Sequence, residues 1–243
     1  MKKIIYTLMI LLLGVIACND NSVNPIIEES IVTSFQGKFV NWTKGSNHRM
    51  LFLGANDVWN SDKIYSSSQI DSNGFFMMDN FAPPSSSFLR NKVYPVYIDG
   101  VTFQENTLIC SDSTASVVHG VLIIVKDTSN SRVAEVYRQN FSYNFYIQKE
   151  HLKTGDFMTE YIYVDKNVTL NGRVEYVYYN PNFKIESKMT LNYDLIYKKG
   201  WNKRITYIAS HNVANDGDKT TITAEYNYVN TEPTTANWHY LYY

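Results

Sequence analysis

The side chains in this sequence that could carry out chemistry are widely separated. No two histidines stand at the H-x-x-x-H spacing that presents two zinc ligands on one helix face. No G-x-S-x-G motif marks a serine nucleophile either. We therefore predict no catalytic residue, no metal ligand and no cofactor, and we expect a protein that is not an enzyme. The histidines are His48, His119, His151, His211 and His239.

The two cysteines of the chain, Cys18 and Cys110, stand in different surroundings. Cys110 follows the apolar residues Leu108 and Ile109. Burial among apolar side chains raises the pKa of a thiol and makes it less reactive. We interpret Cys110 as a small buried residue.

Aromatic side chains are the candidates for a binding role. Aromatic residues with polar groups suit wet binding surfaces, and four tryptophans could stack on sugar rings. Where strand alternation can be read, the tyrosines share a face with Leu and Met, which indicates a core. Glycan binding is therefore the alternative interpretation. Its candidate residues are Trp42, Trp59, Trp201 and Trp238.

The first eighteen residues carry the clearest signal. Lys2 and Lys3 precede an almost wholly apolar run, residues 4–16, which ends in Ala17 and Cys18. This run is shorter than the roughly 20 residues that a membrane-spanning helix needs, and its length suits the apolar region of a signal peptide. Val15-Ile16-Ala17-Cys18 resembles the lipobox of bacterial lipoproteins.

That resemblance implies a signal peptide at residues 1–17, with cleavage between Ala17 and Cys18 and acylation of Cys18 by palmitate-type chains. Several acyl chains anchor a protein stably, whereas one holds it only marginally. Because Asn19 is not an aspartate that retains such proteins in the inner membrane, the resemblance favours the outer membrane. It leaves open the periplasmic or the cell-surface face. A secreted soluble protein with an incidental cysteine is the alternative.

The charge balance argues against one class of partner. The chain has 22 basic and 23 acidic residues, a formal net charge of −1. Binding to nucleic acid depends on neutralising phosphates with excess Lys and Arg. We therefore predict no nucleic-acid partner. The expected partners are the membrane, through the acyl chains on Cys18, and a glycan or an envelope protein.

The rest of the sequence predicts β-structure. Fifteen of the 20 tyrosines lie after residue 140, and residues 184–198 alternate between apolar and polar side chains, with Ser187 and Ile196 as the exceptions. This period-two pattern predicts a long antiparallel strand with Leu191, Tyr193 and Leu195 in the core and Asn192 and Asp194 in water. Asn73-Gly74, with apolar residues on both sides, predicts a β-hairpin, and turn residues around Gly217 predict a further chain reversal.

The N-terminal part also resembles a known family. Gly37-Lys38-Phe39-Val40, Asp71-Ser72-Asn73-Gly74-Phe75-Phe76 and Pro83-Pro84 are similar to motifs of carboxypeptidase-regulatory-like β-sandwich domains. The resemblance covers about residues 31–100, and Met50-Leu51-Phe52-Leu53 departs from the family's pattern. It implies an immunoglobulin- or transthyretin-like sandwich with a structural role.

Together these patterns predict an all-β protein. After a flexible tether at residues 18–30 we expect a β-sandwich at residues 31–128 and a Tyr-rich antiparallel meander or sandwich at residues 129–243, as one domain or two. The leading functional hypothesis is a lipid-anchored cell-envelope protein with a non-enzymatic structural or interaction role. A surface glycan-binding lipoprotein is the first alternative, and an envelope hydrolase is the second.

Overall fold

A computed structural model describes residues 31–55, 63–89, 91–93, 101–144, 151–231 and 236–242. The described chain is all-β, as predicted, and includes a short 3₁₀ turn at Ser86–Phe88. The strands are β1 (Ser34–Lys38), β2 (His48–Gly54), β3 (Ile64–Ile70), β4 (Phe75–Asp79), β5 (Asn91–Lys92), β6 (Val101–Asn106), β7 (Ile109–Cys110), β8 (Ser116–Lys126), β9 (Arg132–Gln139), β10 (Phe157–Val164), β11 (Val168–Asn180), β12 (Ile185–Tyr197), β13 (Gly200–Asp216), β14 (Lys219–Val229) and β15 (Asn237–Tyr242).

Thirteen of these strands form one sheet, and β1 and β4 form a separate antiparallel pair. The main order is β3-β2-β8-β9-β10-β13-β14-β12-β11-β6, with β15 beside β9, β5 beside β8 and β7 beside β11. The proposed boundary between residues 128 and 129 falls in the turn that joins β8 to β9. Strands from both proposed regions therefore belong to the same hydrogen-bonded sheet.

The C-terminal half differs from a simple antiparallel meander in one respect. β12 and β14 are parallel neighbours, paired from Ile185 with Thr220 to Asp194 with Val229. The hairpins β11–β12 and β13–β14 are antiparallel and lie side by side. Alternation of side chains reveals that a segment is a strand but not which strand it pairs with, so the sequence did not indicate this arrangement.

The alternating pattern predicted for β12 is confirmed in part, with Asn192 as the exception. Leu195 is buried, Leu191 and Tyr193 are half-buried against the core, and Asp194 is exposed. Asn192 is half-buried rather than exposed, because its amide donates to the side chains of Glu225 and Asn227 on β14.

The two faces of the large sheet bury different side chains, as β10 illustrates. Tyr161 and Tyr163 join an aromatic core that includes Phe52. Ile162 and Val164 point to the opposite face and join an aliphatic core. The β1–β4 pair packs on the aromatic side, where it buries Phe76 of β4. This two-layer packing agrees with the predicted β-sandwich class.

The turn predicted at Asn73-Gly74 is present. The carboxylate of Asp71 accepts hydrogen bonds from the backbone N–H groups of Asn73 and Phe75, and Gly74 has a φ of +83°. The predicted β-hairpin is wrong, because β4 forms its ladder with β1, whereas β3, on the other side of the turn, forms its ladder with β2. The reversal at Gly217, between β13 and β14, is also confirmed.

Candidate functional site

Three strands exchange partners at one point of the large sheet. On one edge of β8, the pairing passes from β10 at Gly120 to β9 at Leu122. On β10 it passes from β9 at Thr159 to β8 at Tyr161. One residue of each strand therefore lies at the junction, and these three residues are Val121, Tyr137 and Glu160. We call this point the strand junction.

A cleft of about 360 Å³ opens at the strand junction. Small-molecule pockets typically have volumes of about 300–1,000 Å³ and combine apolar walls with a few polar groups. This cleft has both. Its apolar lining includes Val121, Leu122, Val136 and Met158, and its polar lining includes His119, Glu135, Tyr137 and Glu160.

Glu160 forms an ion pair with Arg204, which lies opposite it on β13. Nε of Arg204 lies 2.9 Å from one carboxylate oxygen and Nη2 lies 3.0 Å from the other. Thr206 Oγ1 adds a third hydrogen bond at 2.9 Å. The two charged side chains are only 16% and 21% exposed. This bidentate geometry fixes the orientation of both groups.

The ion pair sets the protonation of both partners. Burial alone would raise the pKa of Glu160, but the adjacent Arg204 guanidinium lowers it to about 2. Burial would lower the pKa of Arg204, but Glu160 raises it well above its usual value. Both groups are therefore charged at neutral pH. The pKa of His119 is lowered by burial and by Arg204, which favours the neutral imidazole.

A smaller cavity of about 160 Å³ also has His119 in its lining. Its lining includes Arg204, Lys92 and the tyrosines Tyr193 and Tyr197. His119 lines both spaces. Glu160 lines the cleft and Arg204 lines the smaller cavity, so the ion pair contributes to the lining of both.

The tyrosines beside the ion pair are packed against one another. The rings of Tyr193 and Tyr228 are stacked with their centroids 4.8 Å apart, and Cζ of Arg204 lies 5.3 Å from the Tyr228 ring. Burial raises the pKa of Tyr193 to about 12. These hydroxyl groups therefore remain protonated and can donate hydrogen bonds at neutral pH.

The four tryptophans proposed for glycan binding do not form an exposed surface. Trp201 and Trp238 are each 3% exposed and belong to the aromatic core. Nε1 of Trp201 donates to the carbonyl of Ala82 at 3.0 Å. Trp42 is half-buried against that core, and Trp59 lies outside the described residues. A sugar platform of all four is therefore wrong, because two of them fill the space between the sheets.

The other predicted site residues are placed as follows. Ala17 and Cys18 lie outside the described residues. Cys110 lies on β7 against the aliphatic core. It is half-buried, whereas the sequence predicted a buried residue. Within the described ranges, no three His, Cys, Asp or Glu side chains are grouped closely enough to hold a metal ion. In the same ranges, no helix is long and apolar enough to cross a membrane.

The sequence interpretation did not identify Glu160, Arg204 or His119. One signal was present, because Glu160 interrupts the apolar strand from Phe157 to Val164. A charge in the middle of a buried strand requires a partner. The partner could not be named, because Arg204 is distant in sequence and is brought close by the pairing of β10 with β13.

No protein-family model, curated protein or solved structure that was compared with this chain matches it.

Proposed function

We propose that this protein is a lipid-anchored component of the bacterial outer membrane with a non-enzymatic binding role. The N-terminal signal ending in Cys18 supports the anchor. The cleft at the strand junction supports the binding role, and it is the observation that carries the proposal. Its volume suits a small molecule or the end of a larger one, and its polar groups converge from three strands.

The state of the carboxylates favours binding over hydrolysis. Arg204 holds Glu160 ionised with a pKa of about 2, far from the neutral range in which a general acid or base works best. Glu135 accepts hydrogen bonds from Arg132 and from the hydroxyl of Tyr137. Carboxylates held in this way are suited to accept hydrogen bonds from a ligand.

The experiment screens the mature lipoprotein in detergent against small envelope metabolites and oligosaccharides by thermal shift. Ala55 is exposed and lines the cleft, so Ala55→Trp should fill it. Ala214 is exposed on β13 and does not line the cleft, so Ala214→Trp is the matched control. We expect a ligand to stabilise the wild type and Ala214→Trp but not Ala55→Trp. Equal stabilisation of all three proteins would place binding elsewhere.

A panel of glycan, ester and peptide substrates tests the hydrolase alternative on the same preparations. We expect no turnover. Activity that survives repurification and is lost in a folded Glu160→Gln variant would replace the binding proposal by an enzymatic one.

Glycan binding is the second candidate, and the polar lining of the cleft favours it. Glu135 and Glu160 offer carboxylate oxygens, and the ring of Tyr137 offers an aromatic face. Such groups suit sugar hydroxyls and sugar rings. Glycan-array signals that decrease in Ala55→Trp and persist in Ala214→Trp would support this candidate. Array signals that are the same in the wild type, Ala55→Trp and Ala214→Trp would contradict it.

A further inference from the structure

The smaller cavity combines an apolar wall with positive charge. Val117 of β8, Ile162 of β10 and Leu170 of β11 form the apolar part. Lys92 and Arg204 supply the charges, and neither Asp nor Glu is among its lining residues in the described chain. Because Glu160 balances the charge of Arg204, the ammonium of Lys92 remains as the positive charge at this cavity.

Hydrogen-bond donors are available at the charged end. Nζ of Lys92 donates to the carbonyl of Thr114 at 3.0 Å and to Oγ of Ser116 at 3.3 Å. An ammonium group carries three N–H donors, so these two bonds leave one for a ligand. Tyr193 and Tyr197 line the same cavity, and burial raises the pKa of both hydroxyls. Their protons are therefore retained for hydrogen bonding.

We propose that this smaller cavity binds a small monocarboxylate with a short apolar body. The carboxylate lies against Lys92 and the tyrosine hydroxyls, and the apolar body lies against Ile162 and Leu170. The volume is suitable, because apolar cavities of about 150 Å³ accept a benzene ring. The two sites share only His119 among their lining residues in the described chain, so binding here does not depend on use of the larger cleft.

Calorimetric titration of the mature lipoprotein in detergent tests the proposal, with titrations into protein-free micelles as the reference. The probes are benzoate, hexanoate, benzyl alcohol and inorganic sulfate. Benzyl alcohol has the ring of benzoate without its charge, and sulfate has charge without an apolar body. We expect benzoate or hexanoate to bind at least about tenfold more tightly than either control. Benzyl alcohol lacks the charge that strengthens a hydrogen bond to Lys92, and sulfate lacks the apolar contact with Ile162 and Leu170.

Variants locate the binding. We expect Lys92→Met to weaken carboxylate binding at least about tenfold and Tyr193→Phe to weaken it less, because the phenylalanine ring keeps the packing. Lys38→Met is the charge control, since Lys38 is exposed on β1 and does not line the cavity. Ala55→Trp fills the other cleft. Both should bind carboxylate as the wild type does, and circular dichroism checks that all four variants fold.

Three outcomes would overturn the proposal. The first is that neither carboxylate binds. The second is that sulfate binds as tightly as benzoate, which would mean that the apolar wall takes no part. The third is that Ala55→Trp abolishes binding while Lys92→Met preserves it, which would assign the carboxylate to the larger cleft. A failed ligand screen at that cleft would leave these titrations unaffected.

Discussion

Glu160 and Arg204 lie directly opposite each other on β10 and β13, and two N–H groups of the arginine contact the two oxygens of the carboxylate. Glu160 lines the cleft at the strand junction, and Arg204 lines the smaller cavity. Neighbouring strands hold both backbones, so the side chains are positioned before any ligand arrives.

Removing one partner of this pair should destabilise the protein more than removing both. Arg204→Met leaves a carboxylate in a largely buried position, which typically costs about 3–5 kcal/mol. We expect Glu160→Gln/Arg204→Met to be less destabilised than Arg204→Met alone. Urea unfolding of the two single variants and the double variant measures the coupling. Strictly additive changes would show that the two side chains contribute independently.

The same pair should make stability depend on pH. The pKa of Glu160 is lowered from 4.5 to about 2, so the unfolded state binds the proton more readily. The stabilisation is fully present above about pH 4.5 and is lost as the pH falls towards 2. We expect the difference in unfolding free energy between wild type and Glu160→Gln to shrink as the pH falls from about 4.5 towards 2. Asp194→Asn, at an exposed position, is the control.

Leu195 and Asp194 are adjacent residues on opposite faces of β12, and they test its register. Leu195 is 1% exposed, and a buried Leu→Ala change costs about 2–5 kcal/mol. Asp194 is exposed, and a surface change usually stays within about 0.5 kcal/mol. We expect Leu195→Ala to lower the denaturant midpoint far more than Asp194→Ala. Similar midpoints for both variants would contradict the register.

Gly120 lies where two aromatic side chains leave no space. A Cβ at this position would lie 2.3 Å from Phe52 and 3.1 Å from Trp201. Overpacking of this kind typically costs about 1–3 kcal/mol. We expect Gly120→Ala to lower the melting temperature and Phe52→Leu to recover part of the loss in the double variant. A Gly120→Ala protein as stable as wild type would show that the rings move aside freely.

Cys18 should carry the membrane anchor. We expect Cys18→Ala to abolish incorporation of labelled palmitate and to shift the protein out of the membrane fraction. Cys110→Ala is the matched control, because Cys110 is half-buried on β7 and should not be acylated. Label retained in Cys18→Ala would rule out the lipobox assignment.

The sequence predicted what depends on local patterns. Alternation revealed β12, and Gly74 and Gly217 marked two reversals, because these signals act within a few residues. The tryptophans were misassigned, because an aromatic side chain suits a core and a binding surface equally well. The ion pair and the cleft depend on which strands pair, and this information is distributed over the whole chain. Alternation in β10 could not show that its partner changes at Glu160.

The parallel pairing of β12 with β14 also constrains the order of folding. The hairpins β11–β12 and β13–β14 each close through a short turn, and such local contacts form quickly, in about 1–10 μs. The parallel ladder joins residues that are distant in sequence. Its formation closes a longer loop than a hairpin does and costs more conformational entropy, so we expect it to follow hairpin closure. Tyr193 and Tyr228 come from different hairpins. Their stacking therefore forms only when the two hairpins dock.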